Sequence, residues 1–220
     1  MNNYTEFRDA SEDGIPVRGF LHQPPDPAGD CLILTHGAGA NCDSALLVAL
    51  AEAFCASGLT VLRCDLPFRQ LRPYGPPQRG SAEADQQGLR AALNSMRRRT
   101  SGRVFLGGHS YGGRQASMLA ASEPGLVDHL LLLSYPLHPP QRPLELRTAH
   151  FPILHTRALF VHGIRDRFGS IEEMRAALNL VPARTELLPV DGAGHELITQ
   201  RTRDQVSEMV VEKFRLFTHD

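Results

Sequence analysis

The spacing of apolar positions changes character along the chain. Residues 4–9 and 17–22 read as two strands, with Asp13-Gly14 as the turn between them. The second alternates in part, as a half-exposed edge strand would. From residue 31 onward the strands become continuous apolar runs: Cys31-Leu32-Ile33-Leu34-Thr35, Leu59-Thr60-Val61-Leu62-Arg63-Cys64, Val104-Phe105-Leu106, His129-Leu130-Leu131-Leu132-Leu133-Ser134 and Ala158-Leu159-Phe160-Val161-His162. Unbroken runs suit strands covered on both faces, as in a parallel sheet. Glu186-Leu187-Leu188-Pro189-Val190 reads as the last strand, and Pro189 places it at a sheet edge.

Helical spacing fills the intervals. Ala45, Leu46, Ala49, Leu50, Ala53 and Phe54 fall on one face behind Asp43-Ser44, which can cap the helix, and Gly58 stops it. Ser81, with Glu83 and Asp85 in its first turn, opens a helix to about Arg99. A third carries the helix-compatible run Arg114-Gln115-Ala116-Ser117-Met118-Leu119-Ala120-Ala121 and ends near Glu123-Pro124-Gly125. Ser170, followed by Glu172-Glu173, caps a fourth, and a closing helix spans about 199–217. This alternation predicts an α/β fold: a mostly parallel sheet of seven to eight strands with helices on both faces, as one domain over residues 1–220.

Two stretches interrupt the rhythm. Residues 65–80 form a proline-rich loop without secondary structure of its own, carrying Arg69, Arg72 and Arg79. These arginines read either as a solvated rim with local partners or as an anion site. Residues 135–157 hold Pro136, Pro139, Pro140, Pro143 and Pro152 where a helix is expected. That segment is expected to cover the sheet edge and wall one side of a substrate site, with at most a short lid. Its histidines, His138, His150 and His155, are too irregularly spaced to suggest a metal.

Charge narrows the function classes. The net charge of -1 supplies no global basic field for nucleic acid or an acidic membrane. Arg97-Arg98-Arg99 is accounted for by a helix C-terminus, where cations are favoured. No run approaches the roughly 20 apolar residues of a membrane span, and residues 1–6 do not read as a signal peptide. Cys31, Cys42, Cys55 and Cys64 form no Cys-x-x-Cys pair and have no histidine spaced to complete a zinc site. Buried reduced thiols, a cytoplasmic location and no cofactor are the expectation.

The candidate chemistry centres on Gly108-His109-Ser110-Tyr111-Gly112, preceded by a strand and followed by a helix. Glycines two before and two after a serine allow a strand to turn sharply into a helix, lifting the hydroxyl above the sheet edge. An ordinary glycine-rich turn is the bland alternative. Ligand sites in parallel sheets lie beyond the strand C-terminal ends, and there the chain presents Asp166 and His195 in the order serine, acid, histidine. Serine needs an imidazole to take its proton, and the imidazole needs a carboxylate on its other nitrogen. Asp191, four residues before His195, is a competing acid; Asp166 is preferred because it follows a strand. The glycine-rich loop after residue 35 suggests the Ala38 amide as one oxyanion donor, with Tyr111 as the other. His109 reads as packing at the elbow, His36 as a brace of the oxyanion loop, and His162 as structural.

These stretches, with Asp65-Leu66-Pro67-Phe68-Arg69, Ser134-Tyr135-Pro136-Leu137-His138-Pro139 and Phe160-Val161-His162-Gly163-Ile164-Arg165-Asp166, give a chain that resembles the α/β-hydrolases over nearly its whole length. More narrowly it resembles a group of small hydrolases related to dienelactone hydrolases. Dienelactone hydrolases proper use a cysteine nucleophile; Ser110 stands at that position here. The resemblance implies esterase-like cleavage of a small-molecule ester, thioester or lactone, with Ser110, His195 and Asp166 as the triad. Candidate substrate contacts are His36, Gly37, Phe68, Arg69, Tyr135 and Phe168. A related domain occurs in a regulatory subunit of a chromatin acetyltransferase complex, so a non-catalytic binding module is the alternative. A small peptidase or amidase is a third reading, and a homodimer is left open.

Overall fold

The computed structural model describes residues 4–10 and 14–219. Its strands are β1 (Tyr4–Ala10), β2 (Pro16–His22), β3 (Cys31–Thr35), β4 (Thr60–Cys64), β5 (Val104–His109), β6 (His129–Leu133), β7 (Arg157–Gly163) and β8 (Thr185–Val190). They form one eight-stranded sheet in the order β1-β2-β4-β3-β5-β6-β7-β8. The first two pairings, β1 with β2 and β2 with β4, are antiparallel; the pairings from β4 through β8 are parallel. The fold class is therefore the one the apolar runs predict. Asp13 of the expected Asp13-Gly14 turn lies outside the described residues.

The continuous apolar runs have a simple geometric origin. Alternate strand residues point to opposite faces, and both faces are covered. Ile33, Leu106, Leu130 and Phe160 pack under α3 (Ser81–Arg97), α4 (Tyr111–Ser122) and α5 (Ile171–Leu178). Their neighbours Leu32, Phe105, Leu131 and Leu159 pack under α1 (Ala45–Ala56) and α6 (Arg203–His219). Pro189 sits on β8, which pairs only with β7 at the sheet edge. All four cysteines are free and buried. Among the described residues no helix is long and apolar enough to cross a membrane.

Four local expectations change. The loop over 65–80 contains a short helix, α2 (Pro67–Leu71), with Pro67 in its first turn, where a missing N–H costs nothing. Ser44 stands at the start of α1 but makes no side-chain cap bond, and Asp43 turns instead to Arg63 at 2.6 Å. α6 begins at Arg203, because Thr199 and Thr202 close a separate hydroxyl-bonded turn ahead of it. The cationic end of α3 is also more than a dipole match: Arg98 and Arg99 reach Asp9 of β1 at 3.0 and 3.2 Å.

Arg63 is unusual, since β4 buries its guanidinium almost completely. Nε donates to His22 Nε2 at 2.9 Å and Nη1 to the Cys42 carbonyl at 2.7 Å. The Phe20 and Tyr4 rings lie 4.3 and 4.9 Å from the guanidinium carbon. Hydrogen bonds and aromatic faces replace the lost water.

Candidate active site

β3 is flanked by β4 on one side and β5 on the other, so the chain reverses its direction of growth there. The crevice beyond the C-terminal ends of strands at such a switch point is where α/β sheets bind ligands. Two of the predicted loops emerge at it, residues 36–41 after β3 and Ser110 after β5.

Ser110 adopts φ 50° and ψ -113°. A non-glycine residue held at positive φ stores roughly 1–3 kcal/mol and persists only when its surroundings impose it. The surroundings do. A Cβ on Gly108 would fall 2.7 Å from the Gly112 carbonyl carbon, and one on Gly112 would fall 2.6 Å from the His36 carbonyl oxygen. The Ser110 amide donates to the Leu133 carbonyl at 2.8 Å, which pins the turn to β6.

The three expected groups converge. His195 Nε2 lies 2.9 Å from Ser110 Oγ, and His195 Nδ1 lies 2.8 Å from Asp166 Oδ2. A carboxylate can only accept, so Nδ1 carries the proton and Nε2 is free to receive one. The other Asp166 oxygen accepts the Phe168 amide at 2.9 Å. Burial works to raise the Asp166 pKa, but the His195 hydrogen bond and charge together with the Phe168 amide outweigh it, holding this carboxyl below its usual value. Asp191 is exposed and does not replace Asp166 at His195. A Cβ on Gly163 would meet the Gly194 carbonyl at 2.4 Å, so the acid and histidine loops touch backbone to backbone.

Further groups hold the imidazole. The Phe168 ring stacks on His195 with centroids 4.3 Å apart. His109 Nε2 donates to the His195 carbonyl at 2.8 Å, and burial keeps His109 neutral by lowering its pKa. His162 is buried behind Asp166, 3.7 Å from Oδ2, and donates to the Gly169 carbonyl at 2.8 Å.

The loop after β3 lies against Ser110: a Cβ on Gly37 would come 3.5 Å from Ser110 Cβ. Neither the Ala38 nor the Tyr111 amide is engaged by another described residue, which leaves both as donors. His36 braces this loop from beneath. Its Nε2 accepts the Leu66 amide at 3.2 Å, so Nδ1 carries the proton and donates to the Gly37 carbonyl at 2.8 Å. A cleft of about 620 Å³ opens beside Ser110, walled by residues 37–40, Leu46, Phe168 and Ile198, with Glu196 at its rim.

Of the candidate substrate contacts, Gly37 and Phe168 line this cleft. The others are corrected by where they lie. His36 and Tyr135 are fully buried, and the Tyr135 hydroxyl donates to the Arg147 carbonyl at 2.6 Å. Phe68 packs edge-on against Tyr111, with centroids 5.7 Å apart. Arg69 is not an anion site: it is buried, Nε donates to the Ala40 carbonyl at 2.8 Å, Nη1 to Arg72 at 3.0 Å, and Nη2 to Ala38 and Gly75 at 3.0 and 2.9 Å. Arg72 and Arg79 are exposed, as a solvated rim. Nor does the 135–157 segment wall the cleft. It props Phe168 from behind, through the His138 amide and the Phe168 carbonyl at 3.0 Å.

Sequence reasoning missed Asp85 as more than a helix-opening acid. It is fully buried, accepting the Tyr111 hydroxyl at 2.6 Å and the Phe68 amide at 3.0 Å. The signal was present: Asp85, Leu89, Ala92 and Met96 share one buried stripe of α3, and a carboxylate on an apolar stripe demands a partner.

A family model described as an alpha/beta hydrolase domain matches residues 28–217. The protein belongs to the α/β-hydrolase family. Solved structures of low sequence identity share its fold. A serine hydrolase homologue from Coxiella burnetii is 18% identical, with 97% of this chain and 98% of that one covered and a TM-score of 0.77. Est1E from Butyrivibrio proteoclasticus is 19% identical, with 98% and 99% covered and a TM-score of 0.76. A dienelactone hydrolase from Anabaena variabilis is 20% identical, with 98% and 99% covered and a TM-score of 0.76. In this α/β-hydrolase, the strands that carry Ser110, Asp166 and His195 are thus part of a widely shared frame.

Proposed function

We propose that this α/β-hydrolase is a serine carboxylesterase-type enzyme, cleaving a small ester, thioester or lactone through an acyl-enzyme on Ser110. The observation that carries the reading is the unbroken chain from Ser110 Oγ through His195 to Asp166, with the hydroxyl held on a strained turn facing an open cleft. Ser110 Oγ attacks the substrate carbonyl carbon while its proton passes to His195 Nε2. Asp166 stabilises the resulting imidazolium, and the Ala38 and Tyr111 amides receive the oxyanion. His195 then returns the proton to the departing alcohol, thiol or ring oxygen as the bond to the carbonyl carbon breaks. Water, giving its proton to His195, attacks the acyl group and frees Ser110.

Apolar groups from Ala38, Ala40, Leu46 and Ile198 favour an uncharged acyl group, and among the described residues no arginine or lysine lines the cleft to hold a carboxylate. Free buried thiols suit the cytoplasm. A fluorophosphonate probe should label wild-type protein at Ser110, and short p-nitrophenyl esters should turn over. Absence of both with folded protein would support the binding-module reading instead.

A further inference from the structure

We propose that Asp85 is a positioning residue that sets the separation of the two oxyanion donors. The inference rests on the hydrolase reading and names a part of the machinery lying wholly outside the cleft. Asp85 sits on α3, fully buried, and its two hydrogen bonds lead to the two arms of the oxyanion site. Oδ2 takes the hydroxyl of Tyr111, the residue whose own amide is one donor. Oδ1 takes the Phe68 amide in the first turn of α2. The next residue, Arg69, grips the Ala38 and Ala40 carbonyls and so holds the loop carrying the other donor.

The two arms also touch directly. The rings of His36, Phe68 and Tyr111 form a row, with centroids 5.6 Å and 5.7 Å apart. α2 lies hard against α3 beside this point: a Cβ on Gly88, three residues after Asp85, would fall 2.4 Å from Pro67 Cγ. The carboxylate therefore closes a ring running from Asp85 through Phe68, Arg69, Ala38 and its neighbour Gly37 to Ser110, Tyr111 and back.

Energetics argue that this carboxylate has a purpose. An apolar side chain at this position would complete the stripe formed by Leu89, Ala92 and Met96. A buried carboxylate without a cation is costly, and no basic side chain among the described residues pairs with this one. What it supplies instead is geometry: two hydrogen bonds, of 2.6 and 3.0 Å, held out from one rigid helix. Oxyanion stabilisation is sensitive to such geometry, since a displacement of about 1 Å can cost roughly 100-fold in rate.

Capping of α2 alone is the competing role for Asp85, and Tyr111→Phe separates the two. That change leaves the Phe68 amide bond intact and removes only the tie to the Tyr111 arm. Steady-state hydrolysis of p-nitrophenyl butyrate should show kcat reduced about 10–100-fold in Tyr111→Phe and Asp85→Asn, with KM within about twofold. Binding of a trifluoromethyl ketone, which forms an oxyanion on Ser110, should weaken in parallel with kcat/KM. The double variant should be no worse than Asp85→Asn alone. Gln86→Leu breaks the neighbouring α3–α4 bond to Gln115 and serves as the control that keeps kcat. Wild-type kcat in Tyr111→Phe, or losses matched by the unfolded fraction in circular dichroism, would overturn the proposal. A wild-type protein that neither turns over esters nor takes the fluorophosphonate would instead remove the hydrolase reading, and the proposal with it.

Discussion

The two proposed arms of the site, one acid–base and one oxyanion, are built by opposite means. The acid–base arm is local. Asp166 and His195 follow adjacent parallel strands, their loops touch backbone to backbone, and Asp166 orients itself through an amide two residues on. The oxyanion arm is remote. Its loop is held by Arg69, Leu66 and α2, 29 to 31 residues further along the chain, and α2 is in turn held by Asp85, 17 residues beyond Phe68. Chemistry supplied by side chains can sit at strand ends. Chemistry supplied by backbone amides needs something else to aim the backbone.

If this contrast is sound, damage to the two arms should differ in kind. The largest effect belongs to the acid–base arm: Asp166→Asn should reduce kcat for p-nitrophenyl butyrate by about 10⁴-fold, with little loss of stability, because the tautomer of His195 is then wrong. Next comes Arg69→Met, which releases the Ala38 and Ala40 carbonyls. It should lower kcat by roughly 10–100-fold and also destabilise by about 1–3 kcal/mol for the groups left unpaired, read from urea unfolding. A stability change without a kcat change would erase the distinction between the arms.

Smaller effects test the scaffold they share. His129, at the start of β6, is buried, neither ring nitrogen has a hydrogen-bond partner among the described residues, and burial followed by Arg157 and Arg103 lowers its pKa to about 4. His22 and His150 are lowered to about 4 as well, burial again the main cause. The unfolded chain takes up these protons near pH 6.5, the folded chain only near 4. Between those values the unfolded state binds more protons, so stability falls as pH falls and is untouched above that window. His129→Leu should make the fall shallower and raise the melting temperature at pH 5 by a few degrees, with kcat at pH 7 unchanged. Last, Asp191→Asn should leave kcat within about twofold, since this exposed carboxylate stands apart from His195.

The same contrast explains what could be read from the chain. Strand runs were legible because burial on both faces removes polar residues from them; Ser110 and Asp166 were legible because each follows such a run, and His195 because it follows the edge strand β8. The role of Arg69 was not. An arginine among prolines looks like a solvated rim until the loop closes on it and its donors find carbonyls. Tyr135 was misread for a related reason: an aromatic residue after a strand can face the cleft or the core, and only packing around Phe151 and Phe160 decides which. Asp85 left a trace, a charge out of place on an apolar stripe, whose meaning depended on where Phe68 and Tyr111 would lie.

Arg63 carries a practical consequence for anyone trimming this protein. The family match begins at residue 28, so the N-terminal hairpin looks like a dispensable ornament. Yet Tyr4, Phe20 and His22 form most of the cage around that guanidinium. Cutting the chain to residues 28–217 would leave every proposed reactive group in place while opening a cation in the middle of the sheet to water and uncovering the flank of β4. The hairpin is better regarded as the lid of an internal charge than as an extension of the sheet.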